Sequence, residues 1–400
     1  MRQVSKVSTG LAIGAMFAVA IGLRPSIVSV GPILPAIIGE FRLSHTTASL
    51  MTSIPDLLMG LFALPTPWLA RRFGRDPVLL VALLLLGLAT LGRAFAPNAA
   101  ALLGTTAGVG IGVAGAGALV AGFIKARFPD RAALVMGLYA TSLSIGSTIA
   151  AAATGPIAER SASGWRLASG IWSAVVFIGF IGWIALTMAE RRHHAVVPAA
   201  GMAHGLPFRD PKAWFVALFF ACVNVLFYAV LAWTAPMYQE AGLTAARAGL
   251  ILATFTAVFT IANPIFGWLS KSRDRRLWLA ASAGLATLGL GILAVAPLSA
   301  PFLSISVFAF GLGGTFTLGM TLPLDNTDSP AEANARNAFV LMIGYVIAAG
   351  APLAVGRLRD ATGGFTLGFQ CLTGVVLLMF ALTPCLEPRT SNASRAMAQA

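Results

Sequence analysis

Charged residues are scarce in this sequence. Only 10% of its 400 residues are Asp, Glu, Lys or Arg, whereas a typical soluble domain carries about 25%. Hydrophobic residues make up 58% of the chain, and its mean hydropathy is +0.84. Such a chain cannot present a water-facing surface along its whole length, so the composition excludes an ordinary soluble enzyme and predicts an integral membrane protein.

Histidine and cysteine are also rare, with four and three residues respectively. The cysteines have no metal-ligand spacing, and the histidines lie in predicted loops without a nearby acidic set. We therefore expect no metal site, no disulfide framework and no bound cofactor. The phosphate-binding pattern G-x-x-x-x-G-K-[ST] is absent as well, which argues against an ATP-driven pump.

The net charge of +13 does not indicate a nucleic-acid partner. The basic residues form no single patch or arm. They stand in short clusters between long apolar runs, which is the distribution typical of a membrane protein. The expected surroundings of the chain are therefore a lipid bilayer, and no nucleic acid.

Twelve apolar segments are long enough to cross roughly 30 Å of hydrocarbon, which takes about 20 helical residues. They lie near 10–37, 46–70, 77–96, 99–124, 132–158, 166–189, 213–238, 243–269, 277–296, 300–324, 336–356 and 365–385. The polar stretch 190–212 is the one long connection. The sequence thus predicts an all-α membrane protein with an N-terminal six-helix bundle (1–189), a cytoplasmic linker (190–212) and a C-terminal six-helix bundle (213–400).

The distribution of Lys and Arg predicts the orientation of these spans. With the N-terminus inside, cytoplasmic segments hold 19 of the 27 basic residues and outer segments hold seven, Arg93 among them. Cytoplasmic loops of membrane proteins carry such an excess. We expect an inner (cell) membrane protein with both termini in the cytoplasm.

The two halves of the sequence repeat each other at a separation of 200 residues. LSHTTASLM (43–51) aligns with LTAARAGLI (243–251), and WLARRFGRD (68–76) aligns with WLSKSRDRR (268–276). The hexapeptide GLATLG occurs at 87–92 and again at 284–289. Parallel repeats of six spans place a substrate site between the halves near mid-membrane.

The basic loops 67–77 (PWLARRFGRDP) and 267–276 (GWLSKSRDRR) resemble the signature loops of the major facilitator superfamily, between spans 2 and 3 and between spans 8 and 9. The resemblance implies the major facilitator fold and a role for these loops in conformational change. The basic residues expected to serve it are Arg71, Arg72, Arg75, Lys271 and Arg275. Arg71 and Lys271 stand where the family usually has an acid, and a simple positive-inside cluster remains the alternative.

Several stretches of the first half resemble the cyanate permease and 2-nitroimidazole transporter family within that superfamily. They are LRPSIVSVGPILP (23–35), TSIPDLLMGLFAL (52–64), GVGIGVAGAGALVAGFIKARFP (108–129) and VMGLYATSLSIG (135–146). This resemblance implies a transporter of small solutes rather than an enzyme, without selecting one substrate.

Arg24 stands near the middle of span 1, directly before Pro25. A charge at that depth costs at least ~2.5–3.5 kcal/mol unless it is solvated or paired. Proline also removes a backbone hydrogen bond and frees the carbonyl four residues earlier, at Ile21. A guanidinium at a helix kink suits a planar anion, because its N–H groups form two parallel hydrogen bonds. Arg24 is thus predicted to contact substrate, with a structural pair as the alternative.

Asp56 is the one acidic residue near the middle of any predicted span, at a depth similar to that of Arg24. Three interpretations stay open for it. In the first, Asp56 and Arg24 form an ion pair that opens during transport. In the second, Asp56 binds the proton that couples transport to a pH gradient. In the third, the two residues form a fixed pair without a role in transport.

Three further polar residues are candidates for substrate binding. Asn224 and Tyr228 lie one helical turn apart in span 7 and therefore share a face, and Tyr345 lies at a suitable depth in span 11. Interhelical hydrogen bonding is the alternative for each.

These observations predict a secondary active transporter that moves a small anionic solute, cyanate-like or a small carboxylate, by alternating access. Proton coupling and a monomeric state are expected with it. The alternative is an exporter of a neutral compound such as a nitroimidazole or another drug, with Arg24 in a structural role.

Overall fold

The fold was described from a computed structural model, which describes residues 6–62, 65–128, 131–191, 206–270, 274–325 and 330–387. All regular secondary structure in these ranges is helical, and they contain no β-strand. We call the residues up to 191 the first half and those from 206 onward the second half. The predicted linker 190–212 falls mostly outside the described residues, and the two-bundle division stays a prediction.

The first half contains eleven α-helices among its described residues. They are α1 (Lys6–Leu23), α2 (Pro25–Val28), α3 (Val30–Phe41), α4 (His45–Ala48), α5 (Leu50–Phe62), α6 (Pro65–Phe73), α7 (Arg75–Ala94), α8 (Ala99–Arg127), α9 (Ala132–Arg160), α10 (Trp165–Gly170) and α11 (Trp172–Arg191).

The second half contains seven α-helices in the part that the structure describes. They are α12 (Pro211–Glu240), α13 (Ala245–Leu269), α14 (Arg276–Val295), α15 (Pro301–Asp325), α16 (Pro330–Ala348), α17 (Gly350–Thr362) and α18 (Thr366–Leu382). A short 3-10 helix, Thr383–Cys385, follows α18.

Eleven helical segments of the described chain are long and apolar enough to cross a membrane. They coincide with the predicted spans 1 and 3–12, so the all-helical membrane architecture is confirmed. The predicted span 2 (46–70) falls on α4, α5 and α6, with residues 63–64 outside the described ranges. Helix α5 alone has 13 residues, about 20 Å at the helical rise of 1.5 Å per residue, so span 2 needs its neighbours to cross.

Large apolar side chains cover the outside of the helical bundle. Ile178, Ile181 and Leu303 each expose more than 60% of their surface. Water would oppose such a surface, whereas lipid tails are as apolar as leucine. This surface accounts for the low content of charged residues in the sequence.

The connections after spans 1 and 7 have the same geometry at a separation of 200 residues. Arg42 and Gly242 both adopt a positive φ, 50° and 93°. The amide of the next residue then donates to the carbonyl five residues earlier, Leu43 N to Ile38 O at 3.1 Å and Leu243 N to Tyr238 O at 3.0 Å. This is the left-handed termination common at helix ends.

The following helices also begin in the same way. The Ser44 hydroxyl accepts from the amide of Thr47 at 3.0 Å, and the Thr244 hydroxyl accepts from the amide of Arg247 at 3.2 Å. A Ser or Thr oxygen at this position satisfies an amide of the first helical turn. The repeat seen in the sequence is therefore present in the backbone at 38–47 and 238–247.

Among the described residues, six pairs of helices form the main contacts between the two halves. Helix α3 packs against α12 and α13, α4 against α17, α5 against α16 and α17, and α9 against α13. Glycines bring the backbones together at one end of this interface: a Cβ on Gly155 would lie 2.4 Å from the carbonyl oxygen of Ala245, and one on Gly356 would lie 2.7 Å from that of His45. We call this end, formed by residues 31–46, 151–159, 231–249 and 352–365, the sealed end.

Candidate functional site

Arg24 lies at a break in span 1. Helix α1 ends at Leu23 and α2 begins at Pro25, because proline lacks the backbone amide that would continue the helical hydrogen bonds. The carbonyl of Ile21, which loses its partner, faces Gly146 of α9; a Cβ on Gly146 would lie only 2.2 Å from that oxygen. The kink predicted at Pro25 is thus packed directly against a glycine of span 5.

Helix α7 holds the short helix α2 in place. The Ser26 hydroxyl lies 2.8 Å from that of Thr90, and Nη1 of Arg93 donates to the Ser26 carbonyl at 2.5 Å. Arg93 is buried, with 1% of its surface exposed. The sequence placed Arg93 in an outer loop, and this placement was wrong: its side chain turns inward from the last turn of α7 to bind the interrupted backbone two residues after Arg24.

The guanidinium of Arg24 connects the two halves. Its Nη1 donates to the hydroxyl of Tyr228 in α12 at 3.0 Å. Arg24 is partly exposed although it stands inside the bundle. Its other N–H groups have no hydrogen-bond partner among the described residues, so they are free to bind a solute.

Three of the four tyrosines in the chain surround this arginine. Tyr139, Tyr228 and Tyr345 all interact electrostatically with the Arg24 guanidinium, and the rings of Tyr228 and Tyr345 lie 6.0 Å apart. Tyr345 and Tyr228 are two of the predicted binding residues. Tyr139 of α9 was missed by the sequence reasoning, although the scarcity of tyrosine in an apolar chain was a signal available there.

Asp56 is fully buried in α5. Neither carboxylate oxygen has a hydrogen-bond partner in the described part of the chain. Arg24 attracts the carboxylate electrostatically, yet its hydrogen bond goes to Tyr228 instead. A direct Arg24–Asp56 ion pair is not formed in this conformation, which argues against a fixed pair; an ion pair that opens during transport and a proton-binding Asp56 stay predictions.

Asn224 is buried one turn before Tyr228, as the spacing predicted. Its Nδ2 has no hydrogen-bond partner among the described residues. A Cβ on Gly344 would lie 2.9 Å from that nitrogen, so Asn224 packs at the contact between α12 and α16. Asn224 thus brings a second free donor near Tyr345, the neighbour of Gly344.

Of the basic residues in the first signature loop, Arg75 makes the most contacts. It donates from Nε and Nη2 to the Asp76 carboxylate at 2.8 and 3.0 Å and lies 3.7 Å from Glu190 at the end of α11. Glu190 also pairs with Arg127 of α8 at 3.4 Å. These contacts join spans 3, 4 and 6 through Glu190, which pairs with Arg75 of span 3 and Arg127 of span 4.

The other loop residues differ from Arg75. Arg71 and Arg72 are exposed, and Arg72 lies over the ring of Trp68 at 5.7 Å. Arg275 donates to the Ser270 carbonyl at 2.8 Å, while Lys271 lies outside the described residues. A role of the five in conformational change stays a prediction.

The chain was compared with known proteins. The profile of the Major Facilitator Superfamily matches residues 8–352. The chain is 28% identical to the cyanate transport protein CynX of Escherichia coli (strain K12) over 378 residues, 93% of this chain and 97% of the relative. It is 27% identical to the 2-nitroimidazole transporter of the same organism over 376 residues, 93% of this chain and 94% of the relative.

The fold is also found among solved structures. The chain is similar to a bacterial homologue of the human lysosomal transporter Spinster in an inward-facing and occupied conformation, with a TM-score of 0.78 and 18% identity over 96% of this chain and 97% of that chain. The family resemblance inferred from the signature loops is confirmed by these matches. Because the superfamily profile spans most of an all-helical, multi-pass chain, the protein belongs to the major facilitator superfamily and is a membrane transporter rather than an enzyme.

Proposed function

We propose that this protein is a secondary active carrier of a small anionic solute, with Arg24 as the residue that binds the anion. The observation that carries the proposal is the free side of the Arg24 guanidinium. One N–H group binds Tyr228, and the others face the partly exposed interior without a hydrogen-bond partner among the described residues. Guanidinium N–H groups match the acceptor geometry of compact planar anions.

The position of Arg24 also suits alternating access. Its bond to Tyr228 links α12 of the second half to the break between α1 and α2 of the first. A solute bound by Arg24 therefore touches both halves at once. Such a solute stabilises the conformations in which the halves are close more than those in which they are apart, and that difference in affinity is what moves a conformational equilibrium.

The relatives support the size class of this solute. One carries the name of a cyanate transporter, and cyanate is a small linear anion. For this chain we propose a small monovalent anion, cyanate-like or a short carboxylate. We further propose that Asp56 binds a coupling proton, since its buried oxygens have no hydrogen-bond partner among the described residues.

We propose the predicted arrangement of the chain as the moving parts of this carrier. The bundles 1–189 and 213–400 rock about the site, and both termini lie in the cytoplasm at the inner membrane. One chain supplies residues to the site from both halves, so a monomer is sufficient for transport.

A neutral solute is the second candidate, and the aromatic surroundings of Arg24 favour it. Tyr228 lies 6.0 Å from Tyr345 and 5.2 Å from Phe227, measured between ring centroids. Flat rings pack well in such a cluster. A relative named as a 2-nitroimidazole transporter is consistent with export of a compound of this kind.

Uptake into proteoliposomes separates the two candidates. Labelled cyanate, short carboxylates and 2-nitroimidazole are offered to the native protein and to Arg24→Ala, with Tyr238→Phe as a control. Tyr238 is also a buried tyrosine, but its hydroxyl donates to the Pro297 carbonyl, away from Arg24. We expect Arg24→Ala to lose anion uptake by about tenfold or more, the factor implied by the loss of a charge-assisted hydrogen bond.

The control variant should keep the native rate of anion uptake. If the native protein moves only 2-nitroimidazole, and Arg24→Ala moves it equally well, the anion proposal is wrong and the neutral solute replaces it.

A further inference from the structure

At the sealed end, the ring of His45 lies between two carboxylates of the second half. Its Nδ1 lies 2.8 Å from Oδ1 of Asp360 in α17, and its Nε2 lies 3.0 Å from Oε1 of Glu240 at the end of α12. The sequence placed His45 in a loop without an acidic set. The structure shows that both acids come from helices about 200 and 300 residues away.

Each of these carboxylates is also held by donors other than the imidazole. Asp360 accepts from the amide of His45 at 2.9 Å and from the amide and hydroxyl of Thr46 at 2.8 and 2.6 Å. Glu240 accepts from Nε of Arg359 at 2.9 Å. Hydrogen bonds from amides and a hydroxyl favour the ionised form of the Asp360 carboxyl group, and Glu240 forms an ion pair with the permanently charged guanidinium of Arg359.

The number of protons on His45 follows from this geometry. A neutral imidazole donates from one nitrogen and accepts with the other, whereas an imidazolium donates from both. Between two carboxylates, which only accept, a neutral ring would point a lone pair at one of them. Both contacts are therefore satisfied only when His45 carries the second proton.

The surroundings of the ring add no competing charge. Trp233 and Phe365 pack against it, with ring centroids 5.8 and 6.0 Å from that of His45. The charged groups that face it are Glu240 from α12 and Asp360 from α17, with Arg359 behind Glu240. Helices α3 and α5 also pack against α4, but among the described residues no charged side chain of theirs forms an ion pair with His45.

We propose that His45 is a proton-binding site that locks the sealed end: the protonated ring joins the first half to Glu240 and Asp360 of the second, and loss of its proton releases them. The inference rests on the alternating-access function proposed above. In that cycle a proton taken up at this end favours closure here, whatever solute occupies the central site.

The test measures the width of the sealed end directly. Spin labels are attached to cysteines at Ala162 and Leu298, which are exposed on the two halves, after the three native cysteines are replaced. The distance distribution is recorded in lipid nanodiscs without solute at about pH 5 and pH 8, the range over which histidine titrates. We expect the closed-to-open ratio to fall by about tenfold toward the higher pH, as the loss of one charge-assisted hydrogen bond implies.

Two His45 variants and one control make the result specific. In His45→Gln, the glutamine amide can donate from its nitrogen only and does not bind a proton. The closed-to-open ratio of this variant should therefore be low and independent of pH. His45→Arg keeps a permanent cation with several donors, so its ratio should stay high at both values. Glu40→Gln is the control: it removes the ion pair between Glu40 and Arg166 at 2.5 Å, which lies at the same end but within the first half. Its closed-to-open ratio should change with pH as that of the native protein does.

The proposal is overturned if the native protein shows no pH response, or if His45→Gln or His45→Arg keeps the native response. Because no solute is present, these outcomes do not depend on the uptake experiment. If the uptake experiment contradicts the proposed solute class, the distance measurement still tests the role of His45. If the distances do not respond to pH, the uptake experiment still tests the proposed solute class.

Discussion

At the scale of single residues, Arg24 and Asp56 have different surroundings at similar depth. Both are charged residues in apolar runs, and that contrast was enough to select them from the sequence. The structure gives Arg24 a hydrogen bond to Tyr228 and leaves the Asp56 oxygens without one among the described residues. Which partner each residue finds depends on the rotation of its helix, which no local pattern in the sequence specifies.

Tyr139 is a residue of the candidate site that the sequence did not indicate. Span 5 contains no charged residue near it that would mark the position. Its approach to Arg24 results from the packing of α9 against α1 and α2. The packing of two helices could not be deduced from either helix alone, and so the fourth member of the cluster was found only in the structure.

The contact between Gly146 and the Ile21 carbonyl leads to a prediction. Substitution Gly146→Ala places a Cβ where only 2.2 Å separates it from a backbone oxygen, so α9 must move away from the break next to Arg24. We expect the midpoint of thermal unfolding in detergent to fall, by an amount equivalent to about 1–3 kcal/mol, together with a loss of uptake.

Gly137→Ala in the same helix is the matched control. A Cβ at Gly137 meets nothing within 4 Å, and alanine is the better helix former by about 0.5–1 kcal/mol. Its unfolding midpoint should stay level or rise. Equal destabilisation by the two substitutions would show that the close approach at Gly146 is unimportant.

At the scale of helices, span 1 consists of three pieces rather than one. The sequence predicted a kink at Pro25, because proline removes a ladder hydrogen bond. It did not predict the second break at Ser29, between α2 and α3, or the support of α2 by Arg93. The support of α2 comes from α7, a helix more than 60 residues away, so the local pattern was informative only about the first break.

Asp210 ties the starts of two helices in the second half. It caps α12 by accepting from the amide of Lys212 at 2.9 Å and binds Arg336 of α16. Burial acts to raise the pKa of the Asp210 carboxyl, but the Arg336 guanidinium and the amides of Lys212 and Ala213 outweigh it and hold that pKa below its ordinary value of 3.8. The charged form is therefore stabilised by folding.

The sign of the pH dependence follows from this lowered pKa. The contribution of Asp210 to stability is complete above its unfolded-state pKa of 3.8 and is lost as the pH falls below that value. We expect Asp210→Asn, which keeps a capping oxygen, to lower the free energy of unfolding at pH 7 by about 1–2 kcal/mol. The difference from the native protein should shrink as thermal unfolding is repeated toward pH 3.

Asp274→Asn serves as the control for this pair. Asp274 binds Arg276 at 2.7 Å, but 47% and 37% of their side-chain surfaces are exposed, and exposed ion pairs contribute only about 0–1 kcal/mol. If Asp274→Asn lowers the free energy of unfolding more than Asp210→Asn does, the more buried ion pair is not the more stabilising one, and the prediction is wrong.

At the scale of the whole molecule, the sequence was most informative. Long apolar runs predicted the spans, since a bilayer requires about 20 apolar residues for each crossing, and the 200-residue repeat reappears in the turns at 42 and 242. The sealed end was not predicted. Its contacts, such as that between His45 and Asp360, join residues that no spacing rule relates.

Coupling to a proton gradient also belongs to this scale, because the driving force acts across the membrane. We expect Asp56→Asn to abolish the acceleration of uptake by a pH gradient while solute exchange without a gradient continues, since asparagine cannot bind the proton. Paired measurements of gradient-driven uptake and exchange in proteoliposomes check this.

Glu159→Gln is a suitable comparison for the coupling experiment. Its carboxylate accepts from the amide of Ala246 at 2.8 Å, and glutamine keeps an acceptor oxygen there. A pH response that survives in Asp56→Asn, or that disappears in Glu159→Gln as well, would remove Asp56 from the coupling step.

The matching turns at 42 and 242 also relate residues of the central site. In the frame that they set, Arg24 corresponds to Asn224 and Asp56 corresponds to Thr256. The two charged residues therefore lie in the first half, and both residues at the equivalent positions of the second half are neutral and polar. In the proposed site we expect a polar solute to bind in one orientation, with its charged end toward Arg24 of the first half and its neutral end toward Asn224 of the second.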